Sequence, residues 1–140
     1  MAEDALNEFL VHGFRRQVAA DRALHEGYVA PRLALWSHRD PVTLFGAHVP
    51  VAQGWDELHG TFRWLAGRFS RSESFDVELV AAGVSGDLAY TVGFEHSRFS
   101  LDGGPVGPGE LRVTHVYRRE DAEWRIVHRH ADRPPADRRG

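Results

Sequence analysis

The 140-residue chain has no cysteine and no lysine. Without thiols there can be no disulfide, no thiol nucleophile and no thiolate metal site. Without an ammonium side chain, Schiff-base chemistry and any phosphate loop built around a lysine are excluded as well. No apolar run approaches the ~20 residues of a spanning helix. The N-terminal stretch also lacks the basic, apolar and small-residue order of a signal peptide, so a cytoplasmic location with no membrane partner is expected. Positive charge is outnumbered too: 17 arginines face 20 acids, a formal charge of −3. That balance, with no basic cluster, argues against a nucleic-acid partner. Nine histidines, each adding one unit when protonated, could carry the charge from −3 to as much as +6, which predicts a solubility minimum in mildly acidic buffer.

Apolar residues make up 42% of the chain and charged residues 26%, ordinary for a globular chain, and 140 residues is the usual size of one domain. A single domain over 1–132 is expected, followed by a frayed tail over 133–140. Phe9, Leu10, Phe14 and Val18 recur at three- and four-residue intervals and predict a long amphipathic first helix. Gly27 and Pro31 interrupt it, and 32–38 reads as one or two further turns that Asp40-Pro41 stops. Val42 to Ala47 has strand character. Gly54 then precedes a third helix striped by Trp55, Leu58, Phe62, Leu65 and Phe69.

Beyond Phe69 the period changes to two. Strands are expected around Phe75 to Gly83, along Leu88 to Ser97, and over 111–119 and 124–132, with a mobile glycine- and proline-rich loop at 102–109. Helices first and antiparallel strands after predict an α+β layer whose sheet is covered on one face.

A two-residue turn at Asp121-Ala122 pairs Tyr117 with Ile126, His115 with His128 and Val113 with His130. One face then carries Leu111, Val113, His115, Tyr117, Trp124, Ile126, His128 and His130. The imidazoles at 115, 128 and 130 could converge on a borderline metal ion. Their surroundings are apolar, however, and only Asp132 offers a carboxylate nearby, so they are read as packing residues and no metal or other cofactor is expected. The opposite face carries Arg112, Thr114, Val116, Arg118, Arg125, Val127, Arg129 and Ala131. Arg118 opposite Arg125 suits open solvent, whereas the inner part of this face suits a cavity wall with Arg112 and Arg129 ready to grip an anion. Glu95 reads either as their acidic partner or as an exposed charge at a strand end.

The segments L-W-S-H-R-D-P-V-T-L-F-G-A (35–47), G-W-D-E-L (54–58), G-D-L-A-Y-T-V-G (86–93) and R-V-T-H-V-Y-R-R-E-D-A-E-W-R-I-V-H-R-H-A-D (112–132) resemble the SnoaL-like, nuclear transport factor 2-like superfamily, over roughly residues 5–132. The W-x-x-V-H-x-H ending is shared with the association domain of calcium/calmodulin-dependent kinase II. The resemblance implies a cone: a strongly curved antiparallel sheet, cystatin-like in fold, whose concave side is closed by about three helices over a pocket. It also implies a homodimer formed through the sheet's outer face.

Overlaid on the association domain, Arg112 falls on a pocket arginine, while Glu95 and Ala131 fall where two others have been lost. The implied ligand-binding set is Trp36, Phe45, Glu95, Arg112, Thr114 and Arg129, holding a partly apolar, anionic small molecule. The implied dimer set is His115, Tyr117, Trp124, Ile126, His128 and His130. Ketosteroid isomerases, which the fold resembles, use acids at places that fall here near Phe45-Gly46 and at Thr114, so that chemistry is weakened. Three functions remain open. One is small-molecule binding, and another is a cyclase-, isomerase- or dehydratase-type proton transfer with Glu95 as base and Arg112 as enolate stabiliser. The third is a dimeric assembly module with a vestigial pocket.

Overall fold

The computed structural model describes residues 2–136. Its first helical rod is built in three parts: α1 (Ala2–Phe9), a π-helical turn (Leu10–Phe14) and α2 (Arg15–His25). Phe9, Gly13, Gln17, Asp21 and His25 are all buried and stand four residues apart. In a regular α-helix a four-residue step overshoots one turn by about 40°, so such a stripe would wind away from the sheet. The wider π turn takes back part of that drift. Gly13 is required there, because a Cβ would lie 2.7 Å from the Phe9 ring. Gly27, at φ 93°, closes the rod with its N–H on the Leu24 carbonyl. Helix α3 (Ala30–Leu35) follows, with Pro31 in its first turn. Helix α4 (Trp55–Arg68) starts after Gly54, and its first N–H is held by the Asp40 carboxylate at 2.9 Å.

The strands are β1 (Thr43–Phe45), β2 (Ala52–Gln53), β3 (Phe69–Ser85), β4 (Leu88–Leu101), β5 (Val106–Glu120) and β6 (Glu123–Asp132). They form one open, curved sheet in the order β2-β1-β6-β5-β4-β3. All pairs are antiparallel except β1 with β6, a departure from the all-antiparallel sheet expected. Breaks in register between Ser70 and Ser74 and between Leu79 and Ala81 bend β3. The helices cover one face, where Phe9, Leu24, Leu35, Leu58 and Phe62 meet Leu44, Tyr117, Trp124 and Ile126. The expected α+β architecture, with three helical rods on a curved sheet, is the one observed.

The last hairpin turns at Asp121 and Ala122, both at positive φ, and Tyr117 does pair with Ile126. One step further, Val127 is an extra residue on β6, and beyond it Val116 faces His128, His115 faces Arg129 and Thr114 faces His130. This bulge moves Arg129 and Ala131 to the helix-covered face and His128 and His130 to the outer one. The opposed Arg118 and Arg125 are not a solvated like-charge pair. The buried Glu120 carboxylate sits between them, 2.6 Å from Arg118 and 4.0 Å from Arg125.

The 102–109 stretch also differs from the expected loop. Only its start turns, with Asp102 and Gly103 at positive φ, and β5 begins at Val106. The pairing of Val106–Gly109 with Ser97–Ser100 overrides the local glycine and proline content. Of the expected tail, 137–140 lies outside the described residues.

Candidate functional site

The helices and sheet enclose a cavity of about 510 Å³ at the end of the sheet where β5 begins and β1 is joined to β2. Leu24, Leu44, Leu65, Phe69, Phe99 and Leu111 supply apolar walls, and Arg133 to Ala136 border it as well. Gly107 leaves open space where a side chain would stand. Gly109 must also be bare for Phe99 to lie where it does, since a Cβ would stand 3.0 Å from that ring.

Two buried ion pairs form the polar part of the site. Arg129 reaches from β6 to Glu95 on β4 through two near-parallel bonds of 2.8 and 2.9 Å. Arg32 of α3 donates Nε and Nη2 to Asp21 Oδ1 on α2, at 3.2 and 2.7 Å. The two pairs are joined, because Arg129 also lies 3.6 Å from Asp21 Oδ2, an oxygen that Gln17 holds by its amide. All four charged side chains are at most 8% exposed.

Of these four only Arg32 and Arg129 line the cavity, which Glu110 borders as well. Burial alone would push the Asp21 carboxyl up, but the charges of Arg32 and Arg129 outweigh it and hold Asp21 far below the usual carboxylate range. Burial works against the Arg129 cation in the same way and is overcome by Glu95, so Arg129 stays charged.

His115 completes this layer with Nε2 3.2 Å from Arg129 Nη1. A guanidinium only donates, so Nε2 accepts and His115 carries its proton on Nδ1. Burial, then the charge of Arg129, push this imidazole well below its ordinary pKa.

His25 lines the cavity from the end of α2. Its ring stacks on Phe99 at 4.4 Å and meets the edges of Phe69 and Phe75 at 5.2 and 5.0 Å. Burial first, with Arg32 and Arg129 adding to it against the charge of Asp21, lowers its pKa to about 4. The imidazole is therefore neutral at neutral pH.

These placements correct much of the reading from sequence. Arg129 lines the cavity, and Glu95 is the buried partner behind it. Arg112 is on the outer face, half exposed and doubly bonded to Asp132, its cross-strand neighbour. Thr114 and Phe45 share that outer face. Trp36 is 1% exposed and packs on Phe62 in the core, away from the cavity wall.

Of the six residues expected on a dimer face, Tyr117, Trp124, Ile126 and His115 are at most 3% exposed beneath the helices. Phe9 meets the rings of Tyr117 and Trp124 edge-on at 4.7 and 5.2 Å. His128 and His130 lie outside, so the three imidazoles of the hairpin do not converge. Among the described residues no cluster of three or more His, Asp or Glu is placed to hold a metal ion.

With the faces reversed, Glu95 and Arg112 stand on opposite sides of the sheet. Glu95, with both oxygens taken by Arg129, is poorly placed to accept a substrate proton. What the sequence reading missed is Arg32, Gln17, Asp21 and His25, and for the last three the signal was present: polar residues at four-residue steps on the buried stripe of the first helix.

The model of a family described as SnoaL-like domain matches residues 19–136. No curated protein matches the chain. Among solved structures, the chain is similar to a candidate dehydratase of the nuclear transport factor 2-like family from Streptomyces avermitilis. Identity is 20%, the TM-score 0.75, and the match covers 93% of this chain and 99% of that one. It is similar also to a ketosteroid isomerase-like protein from Erwinia carotovora (18% identity, TM-score 0.71, 90% and 96% covered). A third is a candidate calcium/calmodulin-dependent protein kinase type II association domain from Thiobacillus denitrificans (20%, TM-score 0.66, 96% of each chain). At these identities the likeness is one of fold.

Proposed function

The chain belongs to the SnoaL-like domain family, and on that premise we propose that its cavity binds a small, partly apolar carboxylate, the acid group seated against Arg32 and Arg129. One observation carries this reading: the arginines of both buried ion pairs line the cavity, and their partners Asp21 and Glu95 do not. A charge-assisted, forked bond to a carboxylate is what such donors favour, and the two bonds from Arg32 to Asp21 do not use its Nη1. The leucines and phenylalanines around them suit the apolar body of the ligand.

The matched pair 2-naphthoate and 2-naphthamide tests this, within a panel of aromatic and alicyclic carboxylates. At ~100 times its dissociation constant a bound acid adds about 2.7 kcal/mol to the unfolding free energy, visible as a raised thermal midpoint. The amide is expected to have little effect. Gly107 pairs with Phe99, has open space where its Cβ would be and lines the cavity, so Gly107→Trp should fill the site and abolish the response. Acid and amide stabilising equally, or Gly107→Trp responding as the parent does, would overturn the reading.

The outer face supports a second proposal, a homodimer joined sheet to sheet. Two cross-strand rows cover it: Gly83, Tyr90, Val116, His128 and Thr43, then Ala81, Val92, Thr114, His130 and Phe45. Tyr90 is 45% exposed and Phe45 43%, an apolar content that a two-fold contact would cover. Tyr90→Glu and His128→Glu should each convert a dimer to a monomer in sedimentation velocity. A wild type that sediments as a monomer would end this proposal.

A further inference from the structure

We infer that His25 is a specificity-determining residue that recognises a hydroxyl group on the ligand, so that the cavity is built for hydroxy acids rather than simple acids. The inference rests on the carboxylate-binding reading of the same cavity. Gln17, Asp21 and His25 form one polar line along the buried side of α2. The first two are satisfied, by each other and by Arg32 and Arg129. The third is not. Its imidazole is 8% exposed and lines the cavity, its Nδ1 is buried with no partner, and no hydrogen bond among the described residues uses the ring.

The ring therefore carries hydrogen-bonding capacity that no described residue uses, and a bound molecule can take it up where the ring borders the cavity. The ring is also fixed in place by Phe99, Phe69 and Phe75, so it can discriminate by position. A hydroxyl is the group that suits it: it both donates and accepts, and so matches a neutral imidazole in either tautomer. A second carboxylate would suit it less, because burial beside two arginines keeps the ring uncharged.

The experiment compares 2-naphthoate with its 1-, 3- and 6-hydroxy derivatives by isothermal titration on the parent, His25→Phe and His25→Asn proteins. At least one hydroxy isomer should bind the parent tenfold or more tighter than 2-naphthoate. His25→Phe, which keeps the aromatic packing, should bring that ratio to about one. His25→Asn, which restores a donor and an acceptor, should recover part of the preference. If 2-naphthoate binds but no hydroxy isomer gains, or the gain survives in His25→Phe, the assignment of His25 is wrong while the carboxylate site stands. If no acid binds at all, the carboxylate site itself is wrong, and this inference falls with it.

Discussion

Replacing Arg129 by methionine is expected to lower the unfolding free energy by about 3–5 kcal/mol, the cost of leaving a buried charge without its partner. Glu95 would then stand in the interior with both oxygens unbonded by the guanidinium, Asp21 would lose one of its two cations, and His115 Nε2 would lose its donor. Against a total stability of roughly 5–15 kcal/mol for a domain of this kind, that loss brings the chain near its unfolding threshold. Urea denaturation of the single and double variants measures it. Arg129→Met with Glu95→Leu should recover most of what Arg129→Met loses, because an apolar pair of similar volume removes the uncompensated charge.

Arg112→Met supplies the contrast. Its pair with Asp132 is of the same chemical type, but both side chains are nearly half exposed, so water already screens them and a far smaller loss than at position 129 is expected. Equal losses at positions 112 and 129 would mean that burial does not separate the two pairs as the structure implies.

That contrast also marks where sequence reasoning stopped. Period-two alternation on β4, β5 and β6 was legible, as was the turn at Asp121 and Ala122, because side-chain parity and turn length fix them. Parity alone does not say which face turns inward. The hairpin offers arginines and small residues on one side and aromatic rings and imidazoles on the other, and either could border a cavity. The first helix decides it: Phe9 inserts between Tyr117 and Trp124, a long-range contact that no local pattern announces.

The bulge at Val127 was silent for a different reason. Nothing in I-V-H-R-H marks an extra residue, yet that one residue sends Arg129 to the buried side and His128 and His130 to the outer side. Asp21 was readable in principle, since a charged residue on an otherwise apolar helical stripe must find partners inside. Its partners, Arg32 and Arg129, come from two other elements, and only the fold brings them together.

The second large effect is in the pH dependence of stability. Below about pH 6.5 the histidines of the unfolded chain take up protons, whereas folded His25 titrates only at about 4 and folded His115 well below its ordinary range. Between those limits the unfolded state binds more protons, so stability rises with pH: it is fully present above about 6.5 and is lost as the pH falls toward 4. For His25 alone the loss sums to about 3 kcal/mol, and where both buried imidazoles contribute the slope approaches about 2.7 kcal/mol per pH unit. The half-buried His48 and His128, also lowered by burial, add in the same direction.

Asp21 then takes over at lower pH, since its contribution persists above the ordinary carboxylate range and is lost only on further acidification. Urea midpoints measured from pH 7.5 to 4.5 should therefore fall steeply. His25→Phe should flatten the curve by removing one proton's worth of slope. A flat profile between pH 7 and 5 would show that these imidazoles are not held neutral in the folded protein.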